Sequence, residues 1–139
     1  MEKKAFSLIE LLTVIAIIGI LSGFGIYWFA NYKSREENRS DIERTYTFLK
    51  TIQIKSHTTK TPYCVFFSNK TVQWTDCNGN LIRKLTLHNP AVGPSLRTNI
   101  FGIWNSSRSV IRIGDKCIIV GAIQICRGHI QGSDCICDF

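Results

Sequence analysis

The sequence predicts an α+β protein: one long N-terminal α-helix, half transmembrane and half amphipathic, packed on a small antiparallel β-sheet head. Three observations predict it. Residues 11–30 carry no charge, the next twenty-five repeat apolar residues at helical spacing, and short strand-like runs set off by turn residues follow Pro62.

The helix is the first element. At the rise of an α-helix, twenty uncharged residues span roughly 30 Å, the thickness of a bilayer's hydrocarbon core. Beyond them, Ile42, Tyr46, Leu49 and Ile52 or Gln53 follow the i, i+4, i+7 spacing of a buried stripe, while Arg35, Arg39 and Glu43 face water. Nothing between Ala30 and Ile42 breaks a helix, so the spacing predicts one rod of some fifty residues, continuing from residue 31 to about 55. Pro62 ends it.

The head reads as β. Residues 63–67 and 71–75 flank Ser68-Asn69-Lys70, a hairpin signal, and Asn78-Gly79 turns the chain into a strand over 81–87. Residues 89–98, with Pro90, Gly93 and Pro94, predict a loop. Further strands are expected at 99–104, 110–113, 116–120 and 123–126, with turns at Gly114-Asp115 and Gly121-Ala122. Residues 127–139 have no clear assignment.

Charge and composition bound the function. Residues 31–49 balance four basic against four acidic side chains, so the excess of +7 lies in the head, where eleven Lys/Arg face four Asp/Glu from Lys50 onward. A basic head suits nucleic acid, anionic lipid, an acidic neighbour or simply water. No Gly-x-Ser-x-Gly, Walker loop or His-Glu-x-x-His occurs, and a head this small has little room for an elaborate cleft. The chain reads as non-enzymatic and without a cofactor. His57 and His88 belong to no recognisable pattern.

Glu10 asks for a reason. A carboxylate within an apolar helix costs about 2.5–3.5 kcal/mol at bilayer centre. If the chain is cut after Ala5, Phe6 becomes the N-terminus and Glu10 lies one helical turn further on the same face. An amine and a carboxylate at apolar depth could neutralise each other between neighbouring chains, and Glu10 would set axial register. An ordinary secretory signal with a Gly23-Phe24-Gly25 cleavage site shares the charged start and apolar run, but leaves Glu10 unexplained.

The stretch Lys3-Lys4-Ala5-Phe6-Ser7-Leu8-Ile9-Glu10, with the apolar run after it, resembles the class III signal and N-terminal helix of type IV pilins and pseudopilins. The resemblance implies a pilin-like fold, with a prepilin leader over 1–5, a transmembrane and filament-core helix over 6–30, and an amphipathic helix with a disulfide-bonded periplasmic or extracellular head over 31–139. It implies cleavage between Ala5 and Phe6 by a prepilin peptidase, N-methylation of Phe6, and Glu10 in the family's glutamate position. Its partners would be other pilin subunits and an inner-membrane assembly platform. Ala5 stands where the family usually has Gly. Lys3 and Lys4 before the apolar run keep the N-terminus cytoplasmic.

The order of head elements, through Asn78-Gly79, Asn89-Pro90, Ile100-Phe101-Gly102 and residues 118–123, is similar to GspH/FimT-type minor pseudopilins. That resemblance implies a low-abundance subunit of a type IV pilus, a type II secretion-like filament or a DNA-uptake filament. Where some FimT-like proteins carry a DNA-binding Gly-Arg-x-Arg, this chain has Gly121-Ala122-Ile123-Gln124, without either arginine. DNA remains an alternative partner through Arg83, Lys84, Arg108, Arg112 and Arg127, helped by Arg97 and Lys116, with Trp74 and Trp104 as candidate stacking faces.

All six cysteines follow the apolar segment, as expected for disulfides in an oxidising compartment. A two-residue Gly121-Ala122 loop would set Cys117 opposite Cys126 in a non-hydrogen-bonded pair, so that bridge is expected. Cys64 and Cys77 flank the first hairpin, diagonal on one face. Either distortion joins them, or Cys77 reaches the tail. Cys135 and Cys137 are too close to favour each other and would pin the tail to the sheet. The alternative is zinc on Cys126, His129, Cys135 and Cys137, which an oxidising compartment disfavours.

Overall fold

The computed structural model describes residues 7–138, in two compact units divided between Arg35 and Glu36. The fold is α+β, one long N-terminal helix with antiparallel sheets. Helix α1 (Leu8–Thr59) is 52 residues long. It closes where Lys60 turns left-handed at φ 53°, two residues before Pro62, a common way to end a helix.

The second unit holds two sheets. One contains β1 (Cys64–Ser68), β2 (Thr71–Thr75), β3 (Leu81–Thr86) and β5 (Leu96–Arg97), in the order β3-β2-β1-β5. The other contains β4 (Ala91–Val92), β6 (Ser109–Ile113), β7 (Lys116–Val120), β8 (Ile125–Gln131) and β9 (Asp134–Cys137), in the order β4-β6-β7-β8-β9. All pairings are antiparallel. The segment after β3 enters the second sheet as β4 and returns to the first as β5, so neither sheet is complete without it.

Helix α1 buries Ile42, Phe48, Leu49 and Ile52 against Val65, Val72 and Trp74 of the first sheet and Ile111, Ile113, Ile118 and Val120 of the second. Val72 and Trp74 of β2, and Ile111 and Ile113 of β6 on either side of exposed Arg112, are buried at alternate positions, as strands with one covered face require. Trp74 meets Phe48 and Tyr63 edge-on, with centroids 6.1 and 5.2 Å apart. At the helix end, Ser56 and Thr98 are buried. The Ser56 hydroxyl reaches the carbonyls of Thr61 and Asn99, and Thr98 Oγ1 accepts from Tyr63 N. That network ties α1 to both β1 and β5.

Four sequence expectations change. The loop expected over 89–98 contains β4 and β5. Residues 99–104 form a turn closed by a Thr98–Trp104 bridge, not a strand. There Asn99 Oδ1 accepts from Phe101 N and Ile103 N, so the side chain takes donors that a ladder would have used. The β7–β8 loop is four residues, 121–124, because Val120 pairs with Ile125. Trp104 N takes the Ala122 carbonyl and Gln53 Nε2 takes that of Ile123, which holds the wider loop open. The unassigned tail forms most of β8 and all of β9.

Candidate functional site

The first unit presents one chemical contrast. Every described residue from Ser7 to Glu36 is exposed, among them Phe24, Ile26 and Trp28. Glu10 lies in the first turn of α1, where a carboxylate complements the positive end of the helix dipole. The Ser7 carbonyl accepts from Glu10 N and Leu11 N. Ser7-x-x-Glu10 has the spacing of a capping box, a local signal overlooked in the reading of Glu10. The expected cleavage and methylation residues, Ala5 and Phe6, lie outside the described residues.

In the second unit all six cysteines are bridged, and the pairing corrects one expectation. Cys117 joins Cys135 and Cys126 joins Cys137; no bridge joins Cys117 to Cys126. The four-residue loop sets Cys126 opposite Ile119 and Cys117 opposite Gly128. Cys117 then reaches over Gly128 to β9, two strands away. Flat strands two apart are separated by roughly 9.5 Å, yet these Cα atoms are 6.1 Å apart, so the sheet curls at β8. Gly128 permits the curl, because a Cβ there would lie 1.9 Å from the Ile136 carbonyl oxygen. Cys64 joins Cys77 with Cα atoms 5.0 Å apart. The strand register is the expected one, Cys64 opposite Thr75, and the distortion is Cys77 itself, left-handed at φ 63° beyond the end of β2. With its thiols oxidised, the zinc set is lost, and His129 Nδ1 instead meets Asp138 Oδ1 at 2.7 Å.

The basic residues are spread over several elements and differ in what they engage. Arg83 and Lys84 lie exposed on β3, and Arg108 precedes β6. Arg112 donates to the Ser133 carbonyl at 2.6 Å. Arg127 pairs with Glu43 and covers the Tyr46 ring at 4.8 Å, so it fastens β8 to α1. Trp74 and Trp104 are buried, which removes both as stacking faces.

Residues 1–26 match a family model. The chain carries a prokaryotic N-terminal methylation motif. This is the class III signal peptide of type IV pilins, and the match runs into the apolar part of α1. No curated protein and no solved structure matches the chain. The methylation motif supports a type IV pilin or pseudopilin, and so a structural subunit. It implies processing by a prepilin peptidase and assembly with other pilins. Together with one helix long and apolar enough to cross a membrane, it points to membrane anchoring.

Outside the methylation motif, the sequence reading missed Asp41. Its side chain is fully buried and accepts from His88 N, Asn89 N and the Asn89 amide, with His88 Nδ1 at 3.0 Å. Burial alone would raise its pKa, but the hydrogen bonds of Asn89 and His88 outweigh this and hold it below the usual carboxylate value. Asp41 therefore locks the loop before β4 onto α1. Asp41 lies on one helical stripe with Thr45, Phe48, Ile52 and Ser56, but nothing local marks a carboxylate at that position as buried.

Proposed function

We propose that the chain is a minor type IV pilin or pseudopilin, drawn from the inner membrane into a type IV pilus or type II secretion-like filament. A prepilin peptidase cuts it between Ala5 and Phe6 and methylates the new amine. The observation that carries this reading is the methylation motif running into a helix whose only acidic residue before Glu36 is Glu10. In the filament, the apolar surface of residues 11–30 packs against neighbouring helices. Glu10 meets the Phe6 amine of an adjacent subunit, a pairing that desolvation makes sensitive to axial position. The assembly platform of the inner membrane and other pilins are its partners. The GspH/FimT-type assignment of the head rests on the order of its sequence motifs, and three disulfides in residues 64–137 suit a periplasmic or extracellular location.

Mass spectrometry of protein extracted from membranes tests the reading. The mature chain should begin at Phe6 with one added methyl group, and an intact Met1 overturns it. The alternative of a DNA-capturing subunit rests on Arg83, Lys84 and Arg108, because Arg112 and Arg127 have partners within the chain.

A further inference from the structure

β3 is the outer strand of the first sheet and, among the described residues, pairs with β2 alone. Five of its six residues are exposed, including Leu81 and Ile82. A strand edge leaves backbone donors and acceptors without partners and can accept another strand. The opposition of Arg83 to buried Trp74 and of Leu85 to buried Val72 puts Arg83 and Leu85 on the core side of the sheet. There they border a groove of about 600 Å³, whose other wall is Glu43, Arg44, Thr47, Phe48 and Thr51 of α1. Phe48 and Leu85 provide apolar contact. Glu43 is already paired with Arg127, so Arg44 and Arg83 set the sign of the groove, and Lys84 adds positive charge on the other face of the same strand edge.

We propose that β3 and this groove receive an acidic, extended segment of a partner protein as an added antiparallel or parallel strand. The charges select this occupant. A second copy pairing β3 with β3 antiparallel about its centre would set Arg83 and Lys84 against themselves, and like charges directly opposite are destabilising. An acidic strand meets complementary charge, and its alternate side chains enter the groove over Phe48 and Leu85. A nucleic acid would use the charge but neither the backbone edge nor the apolar contacts. The proposal does not depend on filament assembly.

The test uses the full chain in detergent micelles and a fluorescent peptide alternating glutamate and valine, read by anisotropy at low salt. The peptide should bind saturably. Methylating its alternate backbone amides should abolish binding, because charge is kept and strand pairing is lost. Arg83→Glu with Lys84→Glu should weaken binding by about tenfold or more, and Lys84→Glu alone by a few-fold. Arg108→Glu, away from the groove, should leave binding unchanged. Equal binding of the methylated peptide, or of the plain peptide to the charge-reversed protein, overturns the proposal. So does failure of the peptide to bind, and a DNA duplex binding through the same Arg83 and Lys84 would then give this edge to nucleic acid.

Discussion

Helix α1 carries two apolar regions whose fates differ. Between residues 41 and 56, Leu49 and Ile52 are 0% exposed, covered by both sheets of the same chain. Between residues 8 and 29, Phe24 is 68% and Trp28 76% exposed. Similar side chains on one helix are thus covered from within the chain in one region and left exposed in the other. An apolar stripe about one face answers a sheet, whereas a helix apolar all round answers a nonpolar medium. The first region builds the head, and the second stays exposed, long and apolar enough to cross a membrane.

The sharpest break in this comparison is Glu10→Val. It should abolish incorporation into filaments, assayed by shearing and blotting, while the unfolding transition of the head stays unchanged. Next, Ile52→Ala should cost the head about 2–5 kcal/mol in denaturant unfolding, as for other large-to-small core changes. Ile15→Ala, in the exposed half, should leave that transition where it was. Cys117→Ser with Cys135→Ser should cost about 2–5 kcal/mol. Gly128→Ala should disfavour the same bridge without touching a cysteine, read as free thiols or altered disulfide pairing in peptide maps.

Smaller effects refine the picture of how the head holds α1. Asp41→Asn removes the charge that its four hydrogen-bond donors recognise, and should cost about 1–3 kcal/mol. Because the folded pKa of Asp41 is depressed, its contribution is fully present above the ordinary value near 3.8 and is lost as pH falls through the lowered folded value. The wild-type stability curve should therefore fall more steeply with acid below pH 3.8 than that of Asp41→Asn. Arg127→Ala should cost only about 0.5–1 kcal/mol, since its pair with Glu43 is half exposed.

The legible parts of the head were those closed by local chemistry. The β1–β2 register follows from Asn69-Lys70, with Asn69 left-handed at φ 49°, and it matches the expected pairing of Phe67 with Val72. The β6–β7 turn at Gly114-Asp115 is legible for the same reason, with Gly114 at φ 59°. The β7–β8 loop was misread because Gly121-Ala122 looks self-sufficient, whereas the carbonyls of Ala122 and Ile123 are claimed by Trp104 and Gln53 from distant parts of the chain. Widening that loop by two residues kept every side chain on its expected face yet moved Cys126 away from Cys117. At the candidate assembly site, Glu10 lies in the first turn of α1, while Phe6 lies outside the described residues, so their pairing rests on the sequence alone. The burial of Asp41 was not legible, since the donors that satisfy it lie 47 and 48 residues further along the chain.

The sequence by itself determined the long helix, its uncharged half, the methylation motif and the β character of the head. These depend on side-chain period, charge and residues a few positions apart. Only the tertiary structure decided the cysteine partners, the crossing of β4 and β5 between sheets, the burial of Asp41 and the engagement of Arg127. Each of these depends on which distant backbone groups and side chains meet once both sheets close on α1. No local spacing records that, because the free energy that selects those pairings comes from burying the shared core.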